Sequence, residues 1–379
     1  MNSKLGLQTQ AFEAAPGGPD DWAIAAKPAA FKIIWNAYQP DTLPVGELDR
    51  LRAAGLKLCI RADFADPTGL LSPGEYQERT FLMDSVAGAT KAIAALLSFK
   101  ARWPYWARYQ VLNETGIDAW LPGHAAFIKE LAPRMRAEGM TGVFFNAPVG
   151  NPASSPDFPP YEANPAAWLD DIRGQWEPMY FALSIIQANG HYLGLNQYAH
   201  IKPFSDPANG FTLLRHRLLT EAGVFPAGLR LVIGETGLDR GHLSPTLERG
   251  WKSHYTAQEY ADELRWLNRE LAKDAYVDTA EIFGSFLPYG EVWQGFDVVG
   301  IPEVQAALRE LAEEGETPVA NGFTFERPGF ADYADAHPEI GKAAGTQRYD
   351  GDGNLRQLTE QGELIGLKAF GWKVLFFAG

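Results

Sequence analysis

Apolar positions along the chain gather into eight short runs, separated by longer stretches with helical spacing. The runs are residues 4–10, 30–38, 56–64, 108–114, 142–148, 192–199, 229–235 and 280–287. Most are apolar at consecutive rather than alternating positions, as strands covered on both faces are. Between them, "VGELDRLRAAG" (45–55), "HAAFIKELAPRMRAEG" (124–139) and "WLDDIRGQWEPMYFALSIIQANG" (168–190) read as helices that end on Gly, a residue that accepts the left-handed turn stopping a helix. "TAQEYADELRWLNRELAKD" (256–274) opens with Thr256 three residues before Glu259, a capping-box pattern. The alternation predicts an α/β protein with a parallel sheet, and the count of eight predicts a closed (β/α)8 TIM barrel.

The connections differ by side. Helix-to-strand links are mostly short, whereas residues 148–165, 200–210, 236–255 and 288–302 form long links after strands five to eight. Long irregular loops in a compact domain are usually functional, and in a barrel these emerge at the C-terminal face. Two domains are expected: the barrel over residues 1–315, and a small turn-rich, β-containing appendage over 316–379 that packs on or beside it. "DGDGN" suggests a hairpin in the appendage. Asp350, Asp352 and Asn354 alternate as in a calcium loop, but Leu355 and Gln361 stand where an EF-hand needs Gly and Glu. A plain turn is the expectation there.

Composition narrows the partners. The chain of 379 residues is 46% hydrophobic, enough for one large core, and carries a formal net charge of −14. Such an acidic chain lacks the basic footprint of a nucleic-acid binder and suits anionic membrane surfaces poorly. The single cysteine, Cys59, reads as a buried strand residue. "MNSKLGLQTQ" has no apolar stretch of signal-peptide length, so a cytoplasmic location or release by a non-classical route is expected. The histidines show no metal spacing, and no phosphate loop, dinucleotide fingerprint or serine elbow occurs. No metal or cofactor is expected.

The candidate chemistry lies at two strand ends. "YQVLNETG" (109–116) stops at Glu114 and "LRLVIGETG" (229–237) stops at Glu235. Strands four and seven of an eight-stranded barrel face each other across its mouth. Glycosidic cleavage needs such a pair, one carboxylic acid for the leaving oxygen and one carboxylate as nucleophile or base. Trp35 and Asn36 at the end of the second run, Asn146 near the end of the fifth, and His200 just past the sixth are further candidates for the mouth.

The two segments resemble the acid/base and nucleophile strands of clan A glycoside hydrolases, retaining (β/α)8 enzymes, over roughly residues 1–315. The resemblance implies a carbohydrate substrate, Glu114 as acid/base, Glu235 as nucleophile, Asn113 on the sugar 2-hydroxyl and Tyr198 holding the nucleophile. The family's strand-eight aromatic platform has no clean match; Phe286, Tyr289 and Trp293 are candidates, with Trp293 preferred for its area. Two features depart from the family. Thr115 replaces the Pro of Asn-Glu-Pro, and Arg61 and Asp63 end strand three, where the supporting Arg is less usual. A poly- or oligosaccharide hydrolase is therefore the leading expectation. A non-catalytic carbohydrate-binding or structural barrel of a larger surface or viral assembly is the alternative, and a cell-wall-lytic glycosidase a further one.

Overall fold

A computed structural model describes residues 3–9, 19–64, 66, 68, 70–71, 73–115, 121–149, 164–240, 249–285, 293–316, 348–349, 355–358, 362–367 and 373–378. The chain divides into two compact units, Asn2–Ala312 and Glu313–Gly379.

In the first unit eight strands close into a barrel in sequence order. They are β1 (Leu5–Thr9), β2 (Phe31–Asn36), β3 (Leu58–Asp63), β4 (Arg108–Gln110), β5 (Gly142–Ala147), β6 (Tyr192–Ala199), β7 (Arg230–Leu238) and β8 (Val277–Ser285). All neighbouring pairs are parallel, and β8 closes on β1 with Leu5 opposite Ala280. The (β/α)8 expectation therefore holds, with two differences at the strand ends. β4 stops at Gln110, so Glu114 lies in the turn beyond it, and β7 runs through Glu235 to Leu238.

The helices are α1 (Pro19–Ala26), α2 (Val45–Ala53), α3 (Pro73–Gln77), α4 (Ser85–Arg102), α5 (Leu121–Ala137), α6 (Pro165–Trp176), α7 (Tyr180–Ala188), α8 (Arg215–Glu221), α9 (Ala257–Ala272) and α10 (Pro302–Glu316). α9 carries the expected capping box: Thr256 accepts from the Glu259 N–H, and the Glu259 side chain returns to Thr256. The stretch read as one helix over 168–190 is two, α6 and α7, joined by a 3-10 turn at Glu177–Met179. Pro178 has no N–H for the helical ladder and its ring crowds the preceding turn, so the helix breaks there.

Outward-facing strand residues such as Leu7, Ile33, Ile60, Leu193 and Ile233 pack against the helices in one continuous core. The inside of the barrel is different, because it is charged. Lys32 on β2 lies 2.9 Å from Glu281 on β8, Arg108 on β4 bonds Asp278 on β8 at 2.7 Å, and Arg108 is 3.9 Å from Glu281. β4 and β8 are on opposite sides of the ring, so these contacts cross its interior. Cys59 is buried among them, with the Arg108 Nε donating to its sulfur at 3.2 Å. Each charge has an opposite neighbour, which is what makes such burial tolerable. Val143, Tyr192 and Val232 form a small apolar cluster of their own.

The second unit holds β9 (Arg348–Tyr349), β10 (Leu355–Leu358), β11 (Gly362–Leu367) and β12 (Lys373–Ala378), an antiparallel sheet in the order β12-β11-β10-β9. The DGDGN tract lies outside the described residues. The strands on either side of it pair antiparallel, Leu355 opposite Tyr349.

Candidate active site

Glu235 reaches the barrel mouth through an irregularity in β7. Between β6 and β7, Leu195 pairs with Ile233 but Asn196 pairs with Glu235, so Gly234 is one residue too many. Side chains alternate along a strand. Val232 belongs to the small apolar cluster inside the ring and Ile233 to the outer core. Plain alternation would turn Glu235 outward, and the bulge reverses it. Bulges beside sites re-aim a side chain in this way. A Cβ on residue 234 would stand 2.5 Å from Asn146 Oδ1 and 3.0 Å from Asn196 Oδ1, so glycine is what fits.

Both oxygens of Glu235 accept hydrogen bonds. Arg61 Nη1 donates to Oε1 at 2.8 Å and Tyr198 Oη donates to Oε2 at 3.0 Å. Glu235 is 5% exposed, and burial followed by the Glu235 charge pushes the Tyr198 hydroxyl well above its usual range, so it stays a donor. Arg61, noted in the sequence only as a departure from the family, is thus a direct partner of Glu235.

Glu114 sits in a turn that is tied down on both sides. Its φ is 51°, a left-handed conformation uncommon for a residue with a side chain. The Glu114 N–H donates to the Asn146 carbonyl at 3.2 Å, and Asn146 Nδ2 donates to the Leu112 carbonyl at 3.1 Å. Gly194 and Gly234 make room for the Asn146 amide; a Cβ on residue 194 would come within 2.3 Å of it. Strand five thereby grips the chain that carries Glu114. Asn196 Nδ2 completes the setting by donating to Glu114 Oε1 at 2.8 Å.

Glu114 is exposed to solvent, yet its carboxyl lies close enough to Glu235, Arg61 and Arg215 to feel their charges. Lost hydration, then the negative charge of Glu235, raise its pKa to about 7, against the lowering pull of Asn196, Arg61 and Arg215. Arg215 is buried at the start of α8, donates to the Ala147 carbonyl at 2.8 Å, and has its own pKa lowered to about 9 by burial. Two carboxyl groups thus meet in one place with different surroundings. One is held by a cation and a phenol, and the other is pushed toward its protonated form. Environments that separate a pair in this way suit acid/base work.

The remaining expected residues fall into three groups. Asn113 is half-buried beside Glu114, and its Oδ1 accepts from Gln110 at 3.2 Å. Trp293 is half-buried, with Phe283 at 5.5 Å and Arg249 Cζ 4.4 Å from its ring centroid; Phe283 in turn lies 6.1 Å from Tyr198. These two belong to the neighbourhood of the pair. Asn146 is fully buried and so has no surface for a ligand; its amide ties strands together, as do those of many buried polar groups. His200 is buried too, with Nδ1 against the Asp239 carbonyl at 2.9 Å. The Trp35 indole N–H is engaged by the Gln39 carbonyl and Thr42 Oγ1, and Asn36 Oδ1 accepts from the Tyr38 N–H, which makes a local turn. Phe286 and Tyr289 lie outside the described residues, as do residues 150–163, 241–248 and 286–292 of the long loops after β5, β7 and β8.

Sequence reading missed Asn196, Arg215 and the role of Arg61. Asn196 and Tyr198 stand two apart in "LGLNQY", so both face inward, and that spacing was the available signal for Asn196. Arg61 signalled itself as a charge in an apolar run. Arg215, within "LLRHRLL", gave no signal, because only the closed fold brings α8 near Glu114.

No protein-family model matches the chain, and no curated protein matches it. Solved structures do. A family 39 glycoside hydrolase from Bacteroides cellulosilyticus overlays with a TM-score of 0.52, covering 96% of this chain and 70% of that one at 10% identity. A family 5 xyloglucan-specific endo-β-1,4-glucanase from a metagenomic library, in complex with cellotriose, gives 0.50 over 82% and 96% at 10% identity. A family 128 endo-β-1,3-glucanase from Amycolatopsis mediterranei gives 0.45 over 82% and 100% at 17% identity. What the chain shares with these structures is the closed (β/α)8 barrel. At these identities the likeness is one of architecture, and it carries no residue roles.

Proposed function

We propose that the protein is a retaining glycoside hydrolase acting on a poly- or oligosaccharide, with Glu114 as acid/base and Glu235 as nucleophile. The observation that carries this reading is the contrast within the pair. Glu235 accepts hydrogen bonds from a guanidinium and a phenol, Arg61 and Tyr198, one on each oxygen, whereas Glu114 has its pKa raised to about 7 beside it. In the first step Glu235 attacks the anomeric carbon as the bond to the leaving oxygen breaks and Glu114 gives that oxygen its proton. In the second, Glu114 takes a proton from water, the water oxygen bonds the anomeric carbon, and Glu235 departs. Asn113 would contact the sugar 2-hydroxyl, and Trp293 would offer a stacking face. The family 5 neighbour holds cellotriose, so β-glucans are the first substrates to try.

The test is hydrolysis of a β-glucan and xyloglucan panel, with product anomers followed by proton NMR. Net retention is expected, and Glu235→Gln should lower kcat by on the order of a thousand-fold or more. Inversion would remove the nucleophile role. Glycan binding without hydrolysis, unaffected by loss of both glutamates, would make the barrel a binding module instead.

A further inference from the structure

The turn bearing Glu114 contains the position where the chain departs from Asn-Glu-Pro. A proline at 115 would push residue 114 toward extended φ values near −120°, whereas Glu114 adopts a φ of 51°. This turn therefore needs another restraint, and one is present. Thr115 is fully buried, and its Oγ1 lies 3.1 Å from Nε2 of His124 in the first turn of α5, also buried. The His124 ring meets Phe145 edge-on at 5.0 Å, and Phe145 meets Trp176 at 5.4 Å. Phe145, with a φ of 82°, immediately precedes Asn146, whose carbonyl takes the Glu114 N–H. Burial lowers the His124 pKa to about 4, so the ring is neutral over the working range. A neutral imidazole offers one donor and one acceptor, either of which suits a hydroxyl.

We propose that Thr115 and His124 are positioning residues for Glu114, a buried hydrogen bond that restrains the turn where a proline ring does so in Asn-Glu-Pro. The proposal rests on the reading of Glu114 as acid/base. Neither residue touches a reacting atom. Their effect passes through the orientation of the Glu114 carboxyl, and so falls on proton transfer by Glu114, which kcat/KM reads in the donation step.

The experiment compares wild type, Thr115→Val, Thr115→Ser and His124→Gln on two aryl glycosides of the sugar that the wild type accepts. One has a phenol leaving group that needs protonation, the other a dinitrophenol that does not. Thr115→Val and His124→Gln should lose roughly ten-fold in kcat/KM on the phenyl glycoside, a fraction of what a general acid supplies, and less than about two-fold on the dinitrophenyl one. Thr115→Ser should recover most of the loss. Equal losses on both glycosides, or none on either, would overturn the proposal. A carbon-13 NMR titration of the Glu114 carboxyl in wild type and Thr115→Val gives an answer independent of turnover. An unchanged titration overturns the positioning role, and a shifted one supports it. Absence of hydrolysis by the wild type would sink the glycosidase reading and leave that titration to decide the restraint.

Discussion

The side-chain amide of Asn196 donates to Glu114 at 2.8 Å, while its backbone is the register partner of Glu235. One residue of β6 thus touches both carboxyl-bearing segments. Tyr198, two positions on, holds Glu235 from the same face. The site is therefore organised around β6 as much as around the two strands that carry the acids.

Asn196→Ala should raise the pKa of Glu114. The amide donates to the carboxylate, a contact that favours the ionised form and counts among the influences lowering that pKa. Its loss leaves the proton bound to higher pH. The alkaline limb of the kcat/KM profile, expected near pH 7 in the wild type, should move upward, and kcat should fall by roughly ten-fold as the acid loses its aim. A limb that stays in place would separate Asn196 from the titration of Glu114.

Glu114 should make stability depend on pH with an unusual sign. Its folded pKa is raised from 4.5 to about 7, so the native state binds the proton more tightly than the unfolded chain does. The contribution is fully present below about pH 4.5 and is lost as pH rises through about 7. Glu114→Gln removes the group, so its melting temperature should exceed that of wild type by more at pH 8 than at pH 5. Parallel curves for the two proteins across that range would contradict the raised value.

Lys32→Met should be costly on its own. The ammonium neutralises Glu281 inside the barrel, at 2.9 Å and with both side chains 2% exposed. Removing one partner strands the other and typically costs about 3–5 kcal/mol. Lys32→Met/Glu281→Leu, which replaces the pair by apolar volume, should recover most of that loss. Thermal unfolding of the single and double variants decides this. A double variant as unstable as the single would mean that Arg108 depends on Glu281 for its own charge balance.

Gly234→Ala should damage activity beyond what its effect on folding explains. The added methyl would lie 2.5 Å from Asn146 Oδ1 and 3.0 Å from Asn196 Oδ1. Relief requires those amides to move, and they hold Leu112 and Glu114. A lowered melting temperature is expected, with a loss in kcat that persists at temperatures where the variant is fully folded. Wild-type kcat in the folded variant would show that the amides can shift without consequence.

Much of the barrel was legible because its strands are apolar in consecutive runs, and each of the eight runs overlaps a strand. The helix α4 escaped notice among the alanines of "SVAGATKAIAALLSFKAR", which bury Ala89, Ala92, Leu96 and Phe99 without a strong contrast between faces. The extent of β7 was misjudged because the Gly-Glu-Thr-Gly tract reads as a turn, whereas the register shows it continuing as a strand. Glu114 and Glu235 drew attention as charges after apolar runs. Asn146 looked equally like a mouth residue, but the same irregular stretch of β5 that gives it a φ of 31° buries it. His124, nine residues from Thr115, could not be paired with it from spacing alone.

The bulge at Gly234 makes the orientation of Glu235 a matter of counting. Along a strand, direction is a parity, and one residue more or less exchanges inside for outside. Deleting Gly234 would leave every chemical group of the pair in the sequence, yet turn Glu235 toward the helix layer and Thr236 toward the mouth. A related barrel can therefore carry both glutamates and still lack the pair, if it lacks the extra residue. An alignment that slides a gap across this glycine would score the two as equivalent. The feature to compare between such chains is the length of strand seven up to its glutamate, before the identity of the glutamate itself.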